Sequence, residues 1–214
     1  MRDGNRFRQH LRLPEFDYRA SYAYFVTICV RDRLCVFGNV ANDQMVLSRR
    51  GIVARACWLD IPRHHAHVTL DRFIVMPNHV HGLLLFEGDP PVVATPASPL
   101  PSTKLSRATG ATSGSLGAVI GSYKSAVTRT INRLRPGAGA KLWQHSYYEH
   151  VVRNDFGLDR VREYVQMNPE RWARDAENPD GDGTDQLEAF VRSLEARERG
   201  DAGVATTGEG KRRA

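Results

Sequence analysis

Long apolar runs are missing from this sequence. No stretch approaches the roughly 20 residues that a membrane-spanning helix needs, so a membrane partner is not expected. Cysteine is scarce as well: Cys29, Cys35 and Cys57 are the three in the chain. Their odd number and their spacing fit neither a disulfide framework nor a CxxC pair or zinc finger, and a reducing cytoplasm is the expected setting. The N-terminal arginines (Arg2, Arg6, Arg8, Arg12) lead into no apolar segment of the signal-peptide kind. Acid is outnumbered, with 24 Asp and Glu against 30 Lys and Arg, a net charge of +6 and a pI near 9.5. A basic protein of this size often meets a polyanion, most commonly nucleic acid. At 214 residues there is room for one domain with extensions, and hydrophobic residues at 41% leave part of the chain outside any core.

What is present divides along the chain. Residues 1–20 form a basic arm, either a phosphate contact or a solvated terminus. Tyr22 to Val30 is dense in aromatic and β-branched residues and predicts a buried strand. Met45-Val46-Leu47 predicts a short strand, Ser48 a helix N-cap, and Ile52 to Ile61 an amphipathic helix stopping at Pro62. His64, His65 and His67 read as loop residues. Phe73 to Val75 and Leu83 to Phe86 are strand-like runs, and from Glu87 to Gly114 the chain becomes Pro-, Ala-, Ser-, Thr- and Gly-rich, the composition of a flexible insertion.

A helix is predicted from Ser115, with Leu116, Val119, Ile120, Tyr123, Val127, Ile131 and Leu134 as its apolar stripe. Lys124, Arg129, Arg133 and Arg135 lie off that stripe, which suits a solubilising face or a phosphate contact. Trp143 and Tyr148 fit either core packing or base-stacking platforms. A short strand through Val151-Val152 and a helix from Phe156 to Met167 follow, closed by Asn168-Pro169. Residues 176–214 turn acidic and largely disordered in composition, with a helix expected over 185–198.

The sharpest feature is Met76-Pro77-Asn78-His79-Val80-His81-Gly82. Alternate residues of a strand share a face, with Cα atoms roughly 6–7 Å apart, so His79 and His81 can meet at one divalent ion; taken alone, such a pair is equally at home as surface or hydrogen-bonded histidines. On the following helix Tyr164 and Asn168 stand one turn apart on one face. If that helix packs near the histidines, Asn168 completes a metal shell and the phenol sits beside the ion, an arrangement suited to attack on a DNA phosphodiester with a covalent phosphotyrosine intermediate. The plainer reading makes Tyr164 a core-edge residue and Asn168 a helix end.

Several stretches, in order, resemble the single-tyrosine HUH transposases, in particular the REP-associated tyrosine transposases. They are Arg12-Leu13-Pro14 through Tyr18; Ala23 to Cys29; Val75 to Gly82; Gly121 to Ser125; Trp143-Gln144 with Tyr148-Glu149-His150 and Arg153-Asn154; and Tyr164 with Asn168-Pro169. The resemblance implies an α+β fold, a ferredoxin-like antiparallel sheet with helices packed on one face, within a catalytic domain spanning 21–175. It implies Mg2+ or Mn2+ held by His79, His81 and Asn168, Tyr164 as nucleophile, and cleavage of single-stranded DNA near a palindromic hairpin through a 5′-phosphotyrosine. Lys124, Arg153 and the aromatic cluster become DNA contacts. The insertion and the acidic tail depart from the compact pattern and leave monomer and homodimer both open. Two other readings stand beside this one: a hairpin-binding protein that no longer cleaves, and a metal-dependent phosphodiesterase that uses water.

Overall fold

A computed structural model describes residues 23–87, 114–134, 141–184 and 187–204, with the backbone alone for 198–204. The basic arm, residues 88–113 of the insertion and the last stretch, 205–214, lie outside the described residues.

The first strand, β1 (Ala23–Cys29), is buried at every position. A strand that is apolar on both sides needs cover on both faces of its sheet. A hairpin, β2 (Gly38–Ala41) and β3 (Gln44–Leu47), then leads to α1 (Arg49–Leu59), whose N-cap Ser48 accepts a hydrogen bond from the Gly51 amide at 3.2 Å. Pro62 does not end the helical path; it sits in the first turn of α2 (Ile61–His64), where its missing N–H costs nothing. The chain continues through β4 (Val68–Val75), β5 (His79–Phe86), α3 (Leu116–Leu134), β6 (Tyr148–Val152), α4 (Asp155–Gln166), the single turn α5 (Asn168–Arg171) and α6 (Leu187–Val204). No helix among the described residues is long and apolar enough to cross a membrane.

The main sheet runs β4-β5-β1-β6, every neighbour antiparallel. Setting the β2–β3 hairpin aside, the order strand, helix, strand, strand, helix, strand with the first and third strands central is the ferredoxin-like connection. Helices were expected on one face; they cover both. Tyr24, Val26, Ile28, Val80 and Leu84 point to one side, under Ala54 and Trp58 of α1 and Val119, Tyr123 and Val127 of α3. Gly82 belongs to that side: a Cβ there would lie 2.1 Å from the Trp58 ring, so only glycine lets the indole lie on the sheet. Phe25, Leu83 and Val152 point the other way, under Val161 and Val165 of α4 and Leu187, Val191 and Leu194 of α6.

Two local features fix α4. The Asn154 side chain caps it, accepting from the Gly157 amide at 2.8 Å. Farther along, the Arg162 guanidinium grips both carboxylate oxygens of Asp71, at 3.2 and 3.1 Å from Nε and 2.6 Å from Nη2. Asp71 stands where the β4–β5 register slips between Leu70 and Phe73.

Candidate metal centre and nucleophile

Strand alternation sends His79 and His81 to the face that carries α4 and α6, opposite Cys29 and Thr27 of β1. Each ring is held through Nδ1. Thr27 Oγ1 is 2.8 Å from His81 Nδ1, and Asn78 Oδ1 is 2.9 Å from His79 Nδ1. The Asn78 amide has a fixed orientation, because its nitrogen donates to the carbonyls of Arg33 (3.1 Å) and Glu177 (2.7 Å). Its oxygen therefore faces the imidazole and needs a donor, so the His79 proton sits on Nδ1 and the Nε2 lone pair points away.

That lone pair has no hydrogen-bond partner, although it is buried. It lies 3.8 Å from Asp175 Oδ2. The other Asp175 oxygen accepts from the Glu177 amide at 2.7 Å, which turns Oδ2 toward the histidines. One ligand atom each from His79, His81 and Asp175 falls within 4.8 Å of the others. Burial, with His79 alongside, holds the His81 imidazole well below its usual range, so it stays neutral as a ligand must. With that nitrogen unpaired and a carboxylate facing it, the buried donor set fits a divalent ion. Two imidazoles with a carboxylate suit Mn2+, Fe2+ or Zn2+, and Mg2+ when further oxygens join. Asn168 Oδ1 is likewise buried without a hydrogen-bond partner, at the start of α5.

Tyr164 comes from α4 to the same place. Its ring centroid is 5.4 Å from that of His81 and 5.9 Å from Phe25, and the Arg171 guanidinium lies 5.8 Å from its centre. On its far side Phe190 of α6 stacks at 4.2 Å and 17°. The whole group is shut in: His79 is 0%, His81 2%, Asn168 1% and Tyr164 4% exposed.

The residues expected to touch DNA are placed differently from one another. Lys124 spends its ammonium on the carbonyls of Gln144 (3.0 Å), His145 (3.4 Å) and Ser146 (3.0 Å), and burial lowers its pKa to about 8. Trp143 lies in the core against Phe37 and Tyr123, its indole donating to the Lys124 carbonyl at 3.1 Å. Tyr148 is half-buried on β6, its hydroxyl pushed up by burial and by Glu195 and Glu188. Arg129 and Arg153 are exposed.

Sequence reasoning missed Asp175, Glu177 and the role of Asn78. The domain boundary expected at 175 falls inside the site: Glu177 is buried 3.3 Å from Arg33 Nε, and α6 is part of the second core. No spacing rule links residue 175 to a histidine pair on β5, and the acidic composition after it reads as a solvated tail. The signal was Asn78 itself, an amide next to a candidate ligand.

Fold and site together define an α+β protein of ferredoxin-like topology with a buried His-x-His pair, a carboxylate and a tyrosine at one place. Over 172 residues the chain is 32% identical to a Haemophilus influenzae protein described as an uncharacterized protein, a match covering 80% of this chain and 93% of that one; the chain belongs to that protein's family. No family model matches it. Among solved structures it is similar to a REP-associated tyrosine transposase bound to a REP hairpin, at 15% identity and a TM-score of 0.48 over 75% of this chain and 74% of that one. It is also similar to a transposase candidate from Deinococcus radiodurans R1, at 16% identity and a TM-score of 0.40 over 72% and 95%.

Proposed function

We propose that the chain is a metal-dependent single-strand DNA endonuclease and strand transferase that cuts beside hairpins with Tyr164 as its nucleophile. The observation that carries this reading is the Tyr164 ring 5.4 Å from His81, whose cluster with His79 and Asp175 could hold a cation. Beside it stands the ordered set of motifs that resemble the REP-associated tyrosine transposases.

In this reading the Tyr164 oxygen attacks phosphorus, the bond to the 3′ oxygen breaks, and the phenol proton leaves as the 3′ oxygen becomes a free hydroxyl. The product is a 5′-phosphotyrosine. Phosphodiester energy is kept in that bond, so the 3′-OH can later reverse the step and reseal or transfer the strand without ATP. A divalent ion, Mn2+ or Mg2+, held by His79, His81, Asp175 and the Asn168 oxygen would supply charge neutralisation at the phosphate oxygens. Thr27 and Asn78 keep the two rings turned with Nε2 forward. Arg171 lies over the Tyr164 ring, 5.8 Å from its centre, and brings a positive charge beside the proposed nucleophile.

Denaturing electrophoresis with labelled single-stranded hairpins and Mn2+ tests the reading. Wild type should give a slow covalent band, and Tyr164→Phe should lose both band and cut while binding hairpins on a native gel. Cleavage by Tyr164→Phe at the wild-type rate would remove Tyr164 from the mechanism. The burial of Tyr164 under Phe190 favours one competing reading, a hairpin-binding protein that does not cleave. Hairpin binding with no adduct and no cut in wild type would select it.

A further inference from the structure

One charged side chain beside the site has no part in the chemistry proposed above. Glu177 is 6% exposed, and neither of its carboxylate oxygens has a hydrogen-bond partner. A buried carboxylate in that state is costly unless a counter-charge stands by it. The groups that act on it are the Cys29 thiol, His79, Asp175 and the Arg33 guanidinium. Cys29 pairs directly with His79 across β1 and β5, where the Cβ atoms of such a pair are about 5 Å apart, so Glu177 adjoins the pocket of the histidines.

Arg33 is what restrains Glu177. Its Nε lies 3.3 Å from Glu177 Oε2, and its Nη1 donates to the Ala176 carbonyl at 2.9 Å, so one guanidinium grips the side chain and the backbone just before it. The grip has a fixed base. Asn78 Nδ2 donates to the Arg33 carbonyl at 3.1 Å, the Val30 N–H to the Asn78 carbonyl at 2.7 Å, and the Phe37 N–H to the Pro77 carbonyl at 2.9 Å. Asp32 and Arg33 both stand in the left-handed region, at φ +56° and +54°, which residues with a Cβ rarely adopt, and these bonds hold the turn in that state. The backbone of Glu177 meanwhile serves the ligand set: its N–H donates to Asp175 Oδ1 at 2.7 Å and its carbonyl accepts from Asn78 at 2.7 Å. Backbone and side chain of this one residue thus do different things.

We propose that Arg33 is a positioning residue: by pairing with Glu177 it keeps a second carboxylate off the ion and leaves the metal centre a net positive charge to meet a phosphodiester. The inference rests on the reading of His79, His81 and Asp175 as a divalent-metal site. Two neutral imidazoles and one carboxylate leave a divalent ion with a single positive charge, and a second carboxylate cancels it. A neutral centre holds its ion more tightly and attracts a phosphate oxygen less. With Arg33 gone, Glu177 is left buried without its counter-charge, and the ion in the adjoining pocket is the cation that can supply one.

Arg33→Gln, Glu177→Gln and the two together test this, each in the full chain carrying Tyr164→Phe so that binding is read without cleavage. Mn2+ affinity is taken from calorimetry, and affinity for a labelled single-stranded hairpin from native gels with Mn2+. Arg33→Gln should tighten Mn2+ about tenfold or more and weaken hairpin binding about tenfold. Adding Glu177→Gln should return both to within about threefold of the parent, although that variant still lacks the arginine. Glu177→Gln alone should leave Mn2+ affinity within about twofold. A merely structural arginine gives the opposite sign: weaker Mn2+ in Arg33→Gln, unrelieved by Glu177→Gln, would overturn the inference. If Arg33→Gln fails to fold, Glu177→Gln decides, because Mn2+ about tenfold weaker there would make Glu177 a ligand already and refute it. Mn2+ bound by the parent and unchanged in all three variants would overturn the inference alone; no Mn2+ bound by the parent would overturn the metal reading and the inference with it.

Discussion

Asn78 links more of this molecule than its size suggests. Its oxygen fixes the His79 tautomer, and its nitrogen binds carbonyls from two distant segments. Asn78→Ala should weaken Mn2+ binding about 10–100-fold without touching a ligand; calorimetry giving the wild-type value would mean that the tautomer is set elsewhere. His150 carries a pH signature. Burial, and then Arg153, lower its pKa from 6.5 to about 4. Between those values the unfolded chain binds a proton that the folded chain refuses, so stability present above pH 6.5 is lost as pH falls toward 4. The loss is on the order of 3 kcal/mol when complete. His150→Gln should flatten part of that slope in urea midpoints taken from pH 7 to 4, and an unchanged slope would assign it to other groups, His81 among them. His79 and His81 were legible because strand alternation is a local rule. Lys124 was not: lying off the α3 stripe it reads as a solubilising or phosphate-facing residue, yet its ammonium is taken by the loop that carries Trp143. Of the two readings open for Trp143, core packing is the one the fold adopts.

The elements that mattered most were read from pattern alone. β1 is an unbroken aromatic and β-branched run, α3 keeps its apolar stripe over five turns, and both formed where expected. Pattern gave α6 and its short apolar face inside an acidic, glycine-rich stretch, but not the sheet face it covers, because that surface is made by strands far away. Gly82 shows how the layers are spaced. Gly82→Ala should destabilise the protein by about 1–3 kcal/mol, since Trp58 has to leave its place on the sheet; a melting temperature equal to wild type would show that the indole moves freely. The Arg162–Asp71 clasp seats α4, the helix that carries Tyr164. Arg162 is more than a third exposed, so Arg162→Ala should cost only about 0.5–1 kcal/mol. Its effect on adduct formation should exceed what that loss explains, and Asp71→Arg with Arg162→Asp should restore part of it.

Taken whole, the molecule is a ferredoxin-like sheet with a larger core on one face and the candidate site on the other. The first face, under α1 and α3, carries the larger aromatic core of Phe37, Trp58, Tyr123 and Trp143. The second face holds His79, His81 and Tyr164 and lies under α4 and α6. Net charge of +6 suits a polyanion, while acid is concentrated in the segment after Arg174 that lies against the site. The central claim is that the Tyr164 oxygen becomes bonded to a DNA 5′ phosphate. Mass spectrometry of peptides from the protein incubated with Mn2+ and a single-stranded hairpin, then treated with nuclease, tests it directly. A nucleotide-sized mass gain on the peptide carrying Tyr164, absent without metal, is the predicted result; cleaved DNA with every tyrosine peptide unmodified would contradict it and leave water as the nucleophile.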